Sequence, residues 1–299
     1  QRDPRGGAHH RQSPRQGRLI MNIAIMQPYL FPHIGYFQLM HACDEFLVYD
    51  DVAFIPRGYI HRNNVLLGGK AHRFMLSVPK ASPNRLISEL VFGPTPDSLL
   101  TTLHHAYAKA PYYAEVMPLL QAVFQHEDRR IGALCKYSFE RVCDYLGLEC
   151  RFLLTSKLEH DRSLKAQDRL IEMSLMRGAE GYINSIGGRK LYQAAPFAAN
   201  GITLSFLASQ PSDYCQTPLD SRRSGRQAEF VAGLSIIDVL MWCSPGEVRD
   251  RLAEYQLLPE DLELLRAAGN AAGDTAPLPG PLARDVSSHS QQGGHASCH

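Results

Sequence analysis

Two adjacent carboxylates, Asp50-Asp51, end the apolar run Phe46-Leu47-Val48-Tyr49, and the residues after them carry Arg57, His61, Arg62 and Asn63. Acids beside guanidinium and amide groups suit one division of labour. The carboxylates orient a substrate amine or hydroxyl and take its proton, while the cations hold phosphate or carboxylate. The same cations also fit a plainer role, as solvated loop charges or as partners of the two aspartates. Upstream, Gln27 breaks a second apolar run at Gln27-Pro28. Downstream, Gly187-Gly188-Arg189, followed by Tyr192, has the makings of a helix start whose N–H groups cradle an anion beside an arginine. It reads equally as a tight turn before a helix. Asp238 lies within the apolar stretch Leu234 to Trp242, where a lone acid must find a partner, by expectation an arginine.

Positioning these groups takes a strand, a helix and a strand. Ile23-Ala24-Ile25-Met26 reads as a buried strand stopped by Pro28, Gly35 to about Cys43 as a helix, and Phe46 to Tyr49 as a second buried strand. Such a βαβ unit binds ligands outside the carboxyl ends of its strands, which places Gln27 and Asp50-Asp51 at one crevice. The stretch from Val52 to Val65 reads as a loop leading into a hairpin that turns at Leu67-Gly68-Gly69-Lys70 and returns over Arg73 to Pro79. A strand is expected over Leu86 to Val91. Helices are expected from Pro96-Asp97 through Tyr107, over Tyr112 to Met117, and from Asp128 to Leu146, the last stopped by Gly147. Its stripe of Ile131, Leu134, Cys135, Phe139, Val142, Cys143 and Leu146 marks a core face. Further along come a strand at Glu149 to Thr155, a helix at Ala166 to Arg177, a helix after Gly188, a strand at Ile202 to Phe206 and a helix at Leu234 to Trp242. The class is α/β, a Rossmann-like sheet with flanking helices.

Composition narrows the function classes. With 31 Lys plus Arg against 30 Asp plus Glu in 299 residues, the chain has no global field to attract nucleic acid. Seven cysteines without a CxxC pair or zinc-ligand spacing point to a reducing cytoplasm and to no metal site. No apolar stretch approaches the roughly 20 residues of a membrane span. Residues 1–20 carry five arginines against one acid and read as a disordered leader, or as an arm for nucleic acid or anionic lipid. Residues 21–266 are expected to form a single α/β domain and 267–299 a disordered tail.

Taken as a set, Gln27-Pro28 through Pro32, Gly35-Tyr36-Phe37, Asp50-Asp51-Val52, Phe54, Arg57, Arg62-Asn63, Gly187-Gly188-Arg189, Tyr192 and Leu234 to Asp238 resemble the WbqC-like family. The resemblance runs in the same order over residues 21 to 255. It implies a biosynthetic enzyme, an aminoacyl (glycine) or acyl transferase in the assembly of O-antigen, other surface polysaccharide or secondary metabolites. Asp50 and Asp51 would be its catalytic pair, and Gln27, Gly35, Tyr36, Arg57, Arg62, Asn63, Gly187, Gly188, Arg189, Tyr192 and Asp238 would contact substrate. That substrate would be a small or carrier-bound molecule, with ATP or a sugar nucleotide as the candidate cofactor. His33 departs from the family pattern, standing where aromatic residues are common, and so does Gly233, standing where asparagine is common. Separately, Pro32-His33-Ile34-Gly35-Tyr36 is similar to the HxGH signature of nucleotidylyltransferases, with Tyr36 in place of the second histidine. That similarity implies a sheet like that of nucleotidylyltransferase-type folds, and nucleotidyl transfer or ATP-dependent activation at the turn from Gln27 to Tyr36. Because no complete catalytic triad, metal set or Walker loop is present, a non-catalytic ligand-binding role is a third alternative.

Overall fold

A computed structural model describes residues 20–218 and 229–259. The leader expected over 1–20, apart from Ile20, and the tail expected over 267–299 lie outside the described residues.

The sheet grows outward from its first strand. β1 (Asn22–Met26) pairs in parallel with β2 (Glu45–Val48) on one side and with β6 (Gly181–Ser185) on the other. β5 (Arg151–Leu154) extends the β2 side; β7 (Thr203–Ser209) and the antiparallel edge strand β8 (Tyr255–Leu258) extend the β6 side. The order is β5-β2-β1-β6-β7-β8. A separate hairpin, β3 (Arg62–Leu67) with β4 (Lys70–Met75), follows the carboxylate loop. This is a Rossmann-like α/β fold with a mostly parallel sheet, in agreement with the class read from the sequence.

Successive strand residues face opposite sides, so the register sorts the helices. Ala24 pairs with Phe46, and on that face Phe46 meets Tyr36 of α1 (Ile34–Ala42) and Phe139 of α4 (Ile131–Leu146) at centroid separations of 6.4 and 5.8 Å. Ile23 pairs with Tyr182, which stacks at 5.3 Å on Phe197 of α6 (Ala194–Ala199). α5 (Ala166–Met176) sends Arg169 over the Tyr49 ring. The remaining helices are α2 (Asp97–Tyr107), α3 (Tyr113–Phe124), α7 (Ile236–Trp242) and α8 (Pro245–Leu252). α4 ends where expected, with Gly147 at φ 65° accepting the left-handed conformation that side chains resist. One apolar core runs from Ile23 to Leu252, and Cys135 and Cys143 lie within it.

Three expectations are corrected. Leu86 to Val91 is not a strand but a 3-10 turn, Ile87–Glu89, with isolated bridges Ala53↔Leu86 and Val91↔Arg130. Two of its N–H groups brace the carboxylate loop, Ile87 donating to the Val52 carbonyl and Ser88 to the Asp50 carbonyl, while Glu89 and Leu90 donate within the turn. The glycine pair opens no α-helix either. It lies inside a 3-10 segment, Ile186–Leu191. The hairpin's return strand begins directly at the turn, at Lys70, and ends at Met75.

Candidate functional site at the carboxyl edge of the sheet

β2 and β5 stay in register to Val48↔Leu154, so Asp50 and Asp51 emerge beside Thr155 and Ser156. The Asp50 carboxylate accepts the Ser156 N–H at 2.9 Å and the Ser156 hydroxyl at 2.8 Å. It also rests against the first turn of α4, where a Cβ on Gly132 would stand 2.7 Å from Oδ2. Asp51 accepts from the Thr155 hydroxyl on one oxygen and, on the other, from Arg169 at 2.6 Å and His160 Nε2–H at 2.7 Å. Arg162, itself exposed, stands 3.5 Å from the same oxygen.

The two acids are therefore driven apart. Burial pushes the Asp50 pKa up, the Ser156 donors only partly offset this, and the charge of Asp51 adds to it. Burial works in the same direction at Asp51, but the Thr155 hydroxyl, the Arg169 charge and His160 outweigh it and hold that carboxyl below its ordinary value. Thr155, Ser156, His160 and Arg169 were not singled out in the sequence. They lie 104 to 118 residues from the aspartates, and no spacing signal connects them.

Other expected contacts are committed to holding the chain. Arg62 Nε donates to the Gly58 carbonyl at 3.0 Å and Arg62 Nη2 donates to the Arg57 carbonyl, so this guanidinium closes the loop that carries exposed Arg57. Asn63 donates to the Phe31 carbonyl at 2.7 Å, and Ser235 donates to the same oxygen at 2.6 Å, fixing Phe31 at φ 46°. Tyr36 donates to the Gln27 carbonyl at 3.3 Å and stacks on Tyr29, while Gly35 is the second residue of α1. Gly188 packs against Asn184, a Cβ there falling 2.8 Å from Oδ1. Tyr192 lies edge-on to Tyr182 at 6.4 Å, and half-buried Arg189 and Gly187 share the same 3-10 segment. Among the described residues no arginine meets Asp238, contrary to expectation: it accepts from Tyr107 at 2.8 Å, Tyr214 at 2.6 Å and Gln216 at 2.8 Å. Burial raises its pKa, a tendency that these neutral hydroxyl and amide donors moderate.

Gln27 stands apart. It is buried at the end of β1, yet neither amide atom has a hydrogen-bond partner among the described residues. Among the described residues no group of three or more His, Cys, Asp or Glu is placed to hold a metal ion, and no helix is long and apolar enough to cross a membrane.

Fold and edge together define an α/β protein of the Rossmann type with its polar groups gathered at the carboxyl ends of parallel strands. The chain belongs to the WbqC-like protein family, whose model matches residues 27–250. It is 24% identical over 224 residues to a Mycobacterium tuberculosis protein described as "Uncharacterized protein Rv1507c", a match covering 73% of this chain and 92% of that protein. No solved structure matches it.

Proposed function

We propose that this protein is a biosynthetic transferase that moves an aminoacyl or acyl group onto an amine or hydroxyl during assembly of a surface polysaccharide or secondary metabolite. The observation that supports this reading is the pair of neighbouring carboxylates, Asp50 and Asp51, whose surroundings push their pKa values in opposite directions. Such divergence separates a proton-transferring acid from a permanently charged one. Asp50, in its ionised form, takes the proton of the attacking amine or hydroxyl as the new amide or ester bond forms. It returns that proton to the departing thiolate or alkoxide, so charge balances across the step. Asp51, ionised throughout, keeps Arg169 and His160 in place behind it. Exposed Arg57 and half-buried Arg189 are the cations assigned to the anionic part of the substrate. A reducing cytoplasm suits the six free cysteines among the described residues.

The test is transfer from aminoacyl and acyl thioesters to candidate amine acceptors, followed by mass spectrometry, with pyrophosphate release monitored in parallel. Asp50→Asn should lower turnover by about 100-fold or more, in the range of a lost general base, with substrate affinity little changed. Undiminished turnover in that variant removes Asp50 from the chemistry. Pyrophosphate release from ATP and a candidate acid would replace transfer with activation.

A further inference from the structure

The β1–β6 ladder covers only Asn22↔Gly181 and Ile23↔Tyr182. By contrast, β1 stays paired with β2 as far as Met26↔Val48, and β6 with β7 as far as Ser185↔Leu207. The two central strands therefore part over their carboxyl halves. They do so at the point where the strand order reverses, which is where open α/β sheets take ligands.

Polar side chains without partners stand at the ends of the segments that border this parting. Gln27, 2% exposed, follows the last residue of β1 with both amide atoms unpaired among the described residues. Ser185, fully buried, is the last residue of β6, and its hydroxyl is likewise unpaired. His33 caps α1 by accepting the Gly35 N–H on Nδ1 at 3.0 Å. Burial lowers its pKa to about 4, so near neutral pH the ring is uncharged and its proton sits on Nε2, buried and also unpaired. The ring lies so close over the helix start that a Cβ on Gly35 would stand 2.8 Å from His33 Cε1. The same Cβ would stand 3.5 Å from the hydroxyl of Ser209 at the end of β7, which ties this helix start to the β6–β7 side.

Three donors, one just past β1, one at the end of β6 and one capping the nine-residue helix α1, therefore lie at the same carboxyl edge with no partner among the described residues, and the helix adds the positive end of its dipole there. Donors arriving from three separate segments suit an anion with three or more oxygens, as a phosphoryl group has, so that each donor meets its own oxygen. Tyr36 is not part of this set, because its hydroxyl is committed to the Gln27 carbonyl. We propose that the parting of β1 and β6 is a phosphoryl-binding site in which His33 Nε2–H, the Ser185 hydroxyl and the Gln27 amide donate to the phosphoryl oxygens. The sources of such a group are free phosphate or pyrophosphate, a nucleoside triphosphate, and a sugar nucleotide. The site does not depend on the acid–base role given to Asp50.

Isothermal titration of the full chain with phosphate, pyrophosphate, ATP and UDP-glucose, and with glycine and acetate as carboxylate controls, tests the assignment. At least one phosphoryl compound should bind, and His33→Asn and Ser185→Ala should each weaken it tenfold or more. Asparagine retains the helix cap while removing the Nε2–H donor, and alanine leaves the strand backbone intact. Circular dichroism melts confirm that each variant is folded. Asp50→Asn should bind like the parent protein, so failure of the transferase reading and failure of this one give different results. Affinity unchanged within twofold in both donor variants, binding of glycine or acetate instead, or no binding of any phosphoryl compound at millimolar concentration would overturn the assignment.

Discussion

The carboxyl edge of the sheet holds two polar regions that differ in how their buried groups are met: around the two aspartates the carboxylate oxygens are all met and only His160 Nδ1 and Arg169 Nε lack partners among the described residues. Beside β2 and β5, every oxygen of Asp50 and Asp51 has a donor, supplied by residues more than a hundred positions away. Beside β1 and β6, Gln27, Ser185 and His33 Nε2 are buried with no donor or acceptor among the described residues to meet them. A satisfied buried network stabilises and orients, and breaking it is costly. Buried groups left unmet cost about 1–3 kcal/mol each, and a bound partner that supplies the missing hydrogen bonds recovers that cost. The first region therefore belongs to architecture and acid–base tuning, and the second to binding.

The sharpest way to break this contrast is to remove Arg169. Arg169→Met leaves Asp51 buried with its strongest compensating charge gone, and should cost about 3–5 kcal/mol in urea unfolding at neutral pH. The pH dependence carries the sign. A depressed folded-state pKa gives stability that is present above the unfolded value, near 4, and lost as pH falls through the folded one. The deficit of Arg169→Met should therefore shrink below about pH 4, as Asp51 becomes protonated in both proteins. Asp50 runs the other way. Its raised pKa contributes stability below about pH 4 that is lost as pH rises through the folded value, so Asp50→Asn should cost no more than about 1 kcal/mol at pH 7. Equal losses in the two variants would dissolve the distinction between the carboxylates.

Why the sequence shows one region more readily than the other follows from distance along the chain. The βαβ unit was legible because Pro28 ends β1, the apolar runs are short, and Asp50-Asp51 closes the second strand, all local signals. α4 was legible from its apolar stripe and from Gly147. The partners of the two aspartates were not, because Arg169 within α5 looks like any charge on a solvated helix face until the sheet brings it to Asp51. Asp238 misled for a related reason. A lone buried acid suggests the strongest partner type, whereas the described residues supply two tyrosines and a glutamine from two separate stretches. Leu86 to Val91 has the composition of a strand, but Ile87 and Ser88 donate to the Val52 and Asp50 carbonyls and the next two N–H groups close a 3-10 turn.

A smaller effect separates the regions by their response to acid. In the folded protein His33 titrates near pH 4 instead of near 6.5, because its burial disfavours the charged ring. A histidine shifted downward gives stability that is complete above about pH 6.5 and is lost progressively as pH falls toward 4. His33→Asn lacks this titration and keeps the cap, so its melting temperature should gain on that of the parent across that window. Parallel curves from pH 7 to 4 would place the imidazole in contact with water and remove it from the buried set.

Ser185→Ala should produce the smallest change and the one most specific to the contrast. The Ser185 hydroxyl is fully buried, and its Oγ makes no hydrogen bond among the described residues. Alanine occupies nearly the same volume without the desolvated hydroxyl, so the ligand-free variant should be as stable as the parent or more stable by up to about 1 kcal/mol. A buried serine in an ordinary network loses stability on the same change; Thr155, which bonds to Asp51, supplies the matched control as Thr155→Val, with a loss of about 1–2 kcal/mol. Denaturant midpoints of the two variants, measured without added phosphate, give the comparison directly. A gain at Ser185 set against a loss at Thr155 marks the β1–β6 parting as a place where the fold forgoes stability, whereas a loss at both would mean that Ser185 is already satisfied within the protein.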